Sequence, residues 1–451
     1  MGGVPAFGIG RHLAGFCHHE DEAAQFGMCG EMWQDELMLE CVTAGESHGA
    51  ALIAVLSGLP AGIEITTDTL TQTLAQRRKG YGRGTRQNFE QDAVTILSGL
   101  RHGKTLGSPI AVEIKNTEWP KWQTVMSPDP VPRQALLRDA GRGDEREVAR
   151  NLQLTKPRPG HADFAGMMKY GFTDARNVLE RSSARETAAR VALGAFAQAL
   201  LDQVAGIRLV SHVTSVGSVS VPLDAPMPQP EDADYLDNDP VRCLDTHTAQ
   251  LMVQAIDHAQ HTGDTLGGVV QVIAYGVPIG LGSHVSRARR LDARLAGALV
   301  SIQAVKGVEI GAAFLQASLP GSQAHDPLYR GDQPADANTG LGTVTRPTNL
   351  AGGIEGGMSN GNPIVVSAAV KPISTVPHAL PTLDLADGSV ATGLHQRSDT
   401  TAVVPAAVIA QAEVALVLAD ALLEKTGGDS VAECSRNLRA YLDEVTQRTT
   451  F

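Results

Sequence analysis

The apolar residues of this chain fall into runs with recognisable periods. From Ala51 to Leu59 almost every position is apolar, the pattern of a buried strand, closed by Pro60 and Gly62. From Asp68 to Arg78 the spacing predicts a helix, with Thr66 or Thr67 as its cap. Ile110 to Ile114 reads as a second strand. Ala188, Val191, Ala192, Ala195, Phe196 and Ala199 then recur at helical period. Ser183 and Glu186 stand just before that helix with the spacing of a capping box. Further on, the pattern predicts a helix over Thr246–Gln260, a strand over Val269–Ala274 and a helix over Asp292–Val305, with Gln303 and Ala304 in its last turn. A strand over Ile364–Val370 follows, and then a long helix with Pro405 in its first turn and Gly427 at its end.

Other stretches lack either period. Ser127–Thr155 is polar, and Asp224–Asp245 is rich in Pro and Asp; both read as exposed loops. Residues 1–37 read as a disordered extension, and Met38 is a candidate native start. Cys17, His18, His19 and Glu20 lie in that extension, but their spacing fits no standard metal site, and no metal is expected. Residues 38–428 read as one catalytic domain and 429–451 as a partly helical tail.

Composition narrows the function classes. The 451 residues are 43% hydrophobic and 19% charged, values of a globular protein, and 47 glycines with 24 prolines point to many loops. A formal net charge of −12 argues against general affinity for nucleic acid or anionic membrane. Five cysteines without a C-x-x-C read as reduced thiols, and a cytoplasmic enzyme is expected. No apolar run is expected to span a membrane.

Against that acidic background the basic residues are clustered. RRKGYGRGTR, Arg77 to Arg86, interleaves cations with glycines. Such a loop fits a solvated basic face, and equally a flexible wrap around an anion, whose carboxylates or phosphates suit the Arg fork. It is not a Walker A loop, since no G-K-[ST] ends it. RSSARET, Arg181 to Thr187, is compatible with an ordinary cap and a surface Arg, and also with an anion site at a helix start. Ser47 and His48 lie in the Gly-flanked turn TAGESHG, and His161 follows the rigid KPRPG turn, beside Asp163. Either imidazole could be structural or could move protons near neutral pH. NLAGGIEGGMSNGNP, from Asn349, reads as a loose loop or a backbone cradle. KPIST, Lys371 to Thr375, ends a strand with a cation and two hydroxyls.

The blocks TAGESHG, GYGRG, RPGHAD, RSSARET, GDTLGG, VKGVEIG, AGGIEGGMSNG, KPIST and RSD, in this order, resemble the signatures of the chorismate synthase family. The resemblance runs from Met38 to about Gly428. It implies an α+β fold, a β-α-β sandwich with central helices between antiparallel sheets. It implies a carbon–oxygen lyase that removes phosphate from 5-enolpyruvylshikimate 3-phosphate by 1,4-anti elimination, giving chorismate. Reduced FMN is required without net redox change, NADPH serves for flavin reduction, and the assembly is a homotetramer.

Carried over by position, the resemblance places FMN on Arg181, Ser182, Ser183, Gln303, Ala304, Gly356, Lys371, Pro372, Ile373, Ser374, Thr375 and Arg397. Arg77 and Arg83 match positions for phosphorylated substrate or NADPH. His48 matches the acid that protonates the leaving phosphate, and His161 the imidazole that balances charge on the reduced ring. Asp399 with Ser47 matches the pair that assists proton removal. Leu350 departs from the pattern, standing where relatives usually carry a basic residue, and the charged stretch from Arg138 to Thr155 is an insert. The motifs also fit a flavin-dependent oxidoreductase, although no G-x-G-x-x-G follows a strand. A phosphate-binding regulatory protein is a third fit, but it has no need of His48, His161 and Asp399 together.

Overall fold

The computed structural model describes residues 38–84, 92–136, 150–333, 335–393 and 399–451. The readings for residues 1–37, for Arg397 and for most of the 138–155 insert lie outside these.

Two antiparallel sheets form the outer layers. The first holds β1 (Glu40–Ala44), β2 (Ala51–Ser57), β3 (Ala93–Ser98) and β4 (Ile110–Lys115), in the order β1-β2-β4-β3. Its register follows from side-chain alternation. Leu52, Ala54 and Leu56 pair with Ile114, Val112 and Ile110, so every buried side chain of β2 meets a buried one of β4 on the same face. The second sheet holds β5 (Arg208–Val216), β6 (Val219–Ser220), β7 (Gly268–Tyr275), β8 (Val305–Ile310) and β9 (Ile364–Val370), in the order β8-β9-β7-β5-β6.

Among the described residues the helices longer than four residues are α1 (Thr67–Arg78), α2 (Asp163–Tyr170), α3 (Arg176–Ser182), α4 (Thr187–Ala205), α5 (Ala233–Asn238), α6 (Thr246–Thr262), α7 (Leu291–Val300), α8 (Val403–Thr426) and α9 (Val431–Thr449). α4 packs on the first sheet, α8 packs on the second, and the two pack on each other. The core therefore lies in a helical double layer between the sheets, as the implied sandwich requires. α8 is apolar nearly all round because both of its sides are covered. Contrary to expectation, it is long and apolar enough to cross a membrane; 78% of its apolar window is buried inside the fold. Its many alanines, each weakly apolar, hid that run in the sequence.

The α4–α8 contact is close because both helices present small residues. A Cβ added at Gly194 would stand 2.4 Å from the Ala412 Cβ and 2.7 Å from its Cα. Alanine normally stabilises a helix interior by about 0.5–1 kcal/mol over glycine. Here overpacking against backbone, about 1–3 kcal/mol, decides the sign. Gly194→Ala is expected to lower the denaturation midpoint, and a raised midpoint would refute this packing.

Several expected boundaries move. Asp224–Asp245 is not all loop: α5 turns Leu236 inward onto Val210, Ile273 and Val365, capping the outer face of the second sheet. The helix expected over Asp292–Val305 ends at Val300, and Ala304 takes φ +70° to reverse the chain into β8. The tail residues form α9, whose Cys434, Leu438 and Leu442 join the main core.

Candidate active site

Ser183 does not open a capping box. Arg181 and Ser182 end α3, and Ser183 caps a 3-10 turn, Ala184–Glu186, by accepting from the Arg185 N–H at 3.4 Å. The expected helix start with free N–H groups is thus two helices joined at a tight corner, with those groups partly used by the corner itself. The Ser182 hydroxyl donates to the Val178 carbonyl (2.9 Å), and the Arg181 guanidinium to the carbonyls of Thr43 (2.8 Å) and Gly45 (3.2 Å). Ser183 turns the other way, donating to the Ser47 hydroxyl at 3.0 Å.

Glu186 is a hub rather than a cap. It accepts from Thr43 (2.8 Å), Arg190 (2.9 Å) and the Gln303 amide (3.1 Å). Burial raises its pKa, but the Arg190 charge and these hydrogen bonds outweigh that and hold the carboxyl below its ordinary range. The Gln303 Oε1 is buried with no hydrogen-bond partner.

His48 is fixed from three segments. Its Nδ1 lies 3.0 Å from both carboxylate oxygens of Glu180, and its backbone N–H donates to the same carboxylate at 2.9 Å. The ring stacks on Trp122 with centroids 3.7 Å apart. Asn116 braces the turn from below, donating to the Gly49 carbonyl at 2.9 Å.

His161 has its own support. Its Nδ1 is 2.5 Å from Asp163 Oδ1, and the Arg158 Nε donates to Oδ2 at 2.8 Å. Burial would raise the Asp163 carboxyl, which is 1% exposed; the hydrogen bonds from His161 and Arg158 prevail and hold it well below the usual carboxylate range. The two prolines and Gly160 shape this loop as expected, and Lys371 Nζ donates to the Gly160 carbonyl.

Arg83 and Asp399 meet. Arg83 Nη1 is 3.1 Å from Asp399 Oδ2, and the Gly84 N–H donates to Oδ1 at 2.6 Å. Arg83 also lines a cavity of about 410 Å³ with Arg78, Lys79, Asp237 and Asn238. Arg77 is buried instead. It donates to the Ala184 carbonyl (2.9 Å) and the Thr187 hydroxyl (3.0 Å), so it ties the end of α1 to the serine corner.

Hydrogen bonds between neighbouring stretches of chain join these groups into an array. The serine corner reaches Gln303 through Glu186. The Ala304 carbonyl accepts from the Lys371 N–H at 2.9 Å, and Lys371 reaches the His161 loop. In the KPIST segment, the Ile373 carbonyl accepts from Thr265 (2.8 Å); Leu266 next to it donates to the Thr400 carbonyl, beside Asp399 (2.9 Å). Ser374 lies 3.6 Å from a Cβ built at Gly160, whereas Pro372 is exposed and Thr375 buried.

Gly356 stands apart. It sits at the tip of a hairpin, Ile354–Glu355 to Met358–Ser359, where φ of +59° and +83° at Gly356 and Gly357 gives a tight primed turn packed against Arg290 and Leu291. Leu350 donates its N–H to Asp326 (2.9 Å), which also anchors Thr348 and Ala351. Sequence reasoning missed Glu180, Trp122, Arg158 and the hub role of Glu186. The one available signal for Glu180 was the Arg176/Glu180 pair four residues apart on a short, otherwise apolar helix face.

A family model described as chorismate synthase matches residues 39–423. Curated relatives named chorismate synthase include that of Thermobifida fusca, 58% identical over 411 residues, covering 91% of this chain and 100% of the relative. That of Beutenbergia cavernae is 59% identical over 411 residues, with the same coverage. A solved structure titled "Crystal Structure of Chorismate Synthase" superposes with a TM-score of 0.69 at 36% identity, covering 91% of this chain and 98% of that one. With the sandwich, the serine corner and the two supported imidazoles all in place, the chain belongs to the chorismate synthase family, whose members are carbon–oxygen lyases.

Proposed function

We propose that the chain converts 5-enolpyruvylshikimate 3-phosphate to chorismate, the last common step toward the aromatic amino acids, by 1,4-anti elimination with reduced FMN. The observation that carries this reading is the array above: two separately supported imidazoles, a carboxylate–guanidinium pair and the serine corner, linked by hydrogen bonds between neighbouring stretches of chain.

Fit to the flavin rests on this chain's own groups. The orphaned Gln303 Oε1 asks for a donor, which a flavin offers. Arg181, Ser182, Ser183, Gln303, Ala304, Gly356, Lys371 to Thr375 and Arg397 would hold the cofactor, with NADPH as the source of its reduction. A reduced flavin held there would supply transient electron density for the elimination.

The protein does the rest. Arg83 binds the anionic substrate, and Arg77 acts through the serine corner that it holds. His48 delivers a proton to the departing phosphate. His161, oriented by Asp163, balances negative charge on the cofactor. Asp399, paired with Arg83, and Ser47 assist removal of the ring hydrogen. The sandwich around them holds the reactants in contact and excludes water. A homotetramer is part of this reading.

An anaerobic assay with enolpyruvylshikimate phosphate and chemically reduced FMN tests it. Phosphate release without net NADPH consumption is the expected result. Stoichiometric NADPH oxidation would make the chain an oxidoreductase, and no turnover at all would leave a binding protein. Arg83→Ala is expected to raise KM for the substrate by about tenfold or more, the loss of a charge-assisted fork. Normal substrate affinity in that variant would remove the basic loop from the site.

A further inference from the structure

Three segments converge on the His48 ring, and one of them carries a charge that the fold alone does not require. The Glu180 side chain is 3% exposed. Its carboxylate receives the His48 backbone N–H and faces Nδ1 with both oxygens at 3.0 Å, while its backbone carbonyl accepts the Ser47 N–H at 2.9 Å. A neutral acceptor could satisfy the same N–H groups without the cost of burying an anion. That cost is offset by two partners, the imidazole on one side and the buried Arg176 guanidinium on the other. Arg176 lies 3.6 Å from the carboxylate, and its guanidinium also lies over Trp122, 5.6 Å from the ring that His48 stacks on. The ring is held by stacking on its face and by the carboxylate at its Nδ1 edge.

We propose that Glu180 is the positioning residue for the proton donor. A neutral imidazole has two tautomers, and its ring can flip. By accepting the Nδ1 hydrogen, Glu180 selects one tautomer and one ring orientation, and assigns the transferable proton to Nε2. The donor form is the imidazolium, which carries hydrogens on both nitrogens; when it gives its Nε2 proton to the phosphate oxygen, the ring is left neutral with Nδ1–H still bonded to Glu180. No other group changes protonation. Trp122 bars rotation away from this pose. The inference rests on reading His48 as the donor.

The discriminating variant is Glu180→Gln. It keeps the size of the side chain and an acceptor for the backbone N–H, but its amide can donate to Nδ1 and select the opposite tautomer. Under anaerobic conditions with reduced FMN, kcat is expected to fall about tenfold or more with KM within about threefold, the size seen when a group that orients a functional imidazole is lost. Glu180→Asp, which keeps the charge, is expected to recover part of that loss. In a His48→Ala background, Glu180→Gln is expected to cost nothing further.

Nitrogen-15 NMR on histidine-labelled protein, followed upward in pH until the spectrum shows a neutral ring, reads the same claim without turnover. The His48 signals, assigned by their loss in His48→Ala, are expected to show Nδ1–H in the parent and Nε2–H in Glu180→Gln. An Nε2–H pattern in the parent protein overturns the proposal whether or not the variants fold. So does a wild-type kcat in Glu180→Gln, or losses that multiply in the double variant. Full turnover in His48→Ala alone would instead sink the donor assignment, and the NMR pattern would still decide what Glu180 does to the ring.

Discussion

Replacing His48 with alanine is expected to lower turnover by about 10²-fold or more, and His161→Ala by a similar factor, the usual size for acid–base catalysis. In barrier terms this is about 2.7 kcal/mol or more for each ring. The structure gives each imidazole a support of its own: Glu180 and Trp122 for His48, Asp163 with Arg158 for His161. Neither support would survive as an accident of packing on a solvated turn, because each buries a carboxylate to face the ring. Anaerobic steady-state kinetics with reduced FMN measures both effects. Wild-type turnover in either variant removes that ring from the reaction.

Asp163→Asn is expected to cost about 3 kcal/mol of stability, as breaking a buried ion pair does. The Arg158 and Asp163 side chains are 9% and 2% exposed, so solvent screens the pair little. The sign of the pH dependence follows from the depressed carboxyl. Folding holds Asp163 ionised below the range where the unfolded chain protonates it, near 3.8. Its contribution is therefore complete above that range and shrinks as pH falls through it toward the folded value. Urea midpoints for the parent and Asp163→Asn should differ by a constant amount above about pH 5 and converge below about pH 4. A gap that stays open in acid would mean that the asparagine damages packing rather than charge pairing. Turnover should fall as well, because His161 loses the group that orients it.

Elements with a strong local period could be read from the sequence to within a few residues. Helix Thr67–Arg78, with Thr66 capping Thr69, and strand Ile364–Val370 are examples. What could not be read was decided at a distance. Ile302 and Val305 continue an apparent helical period beyond Val300, yet the pairing of Val305–Ile310 with Ile364–Val370 pulls the chain straight and forces Ala304 into a left-handed turn. Leu236 lies in a Pro- and Asp-rich stretch without a sustained helical period, and the outer face of the second sheet gives it a reason to be buried. The RSSARET block was legible as a candidate site, but its geometry was not. A capping box and a helix–corner–helix share the same Ser and Glu, and the choice fell to Thr43, Arg190 and Gln303, which draw Glu186 away from the cap. Glu180 had no local signal of function, because its meaning lies in a histidine 132 residues earlier.

The inner layer has a consequence for how the molecule comes into being. Val403–Thr426, which fills the space between the sheets, follows every strand of both sheets in the chain. Until it emerges from the ribosome, the nascent chain carries the strands of both sheets and the Thr187–Ala205 helix with a long apolar flank open to water. Contacts between residues this far apart in sequence form slowly, and exposed surface of that kind invites aggregation. Chaperone demand should therefore be high in the interval before this helix emerges. A chain stopped short of residue 403 would keep His48, Arg83 and His161 but have nothing against which to close them.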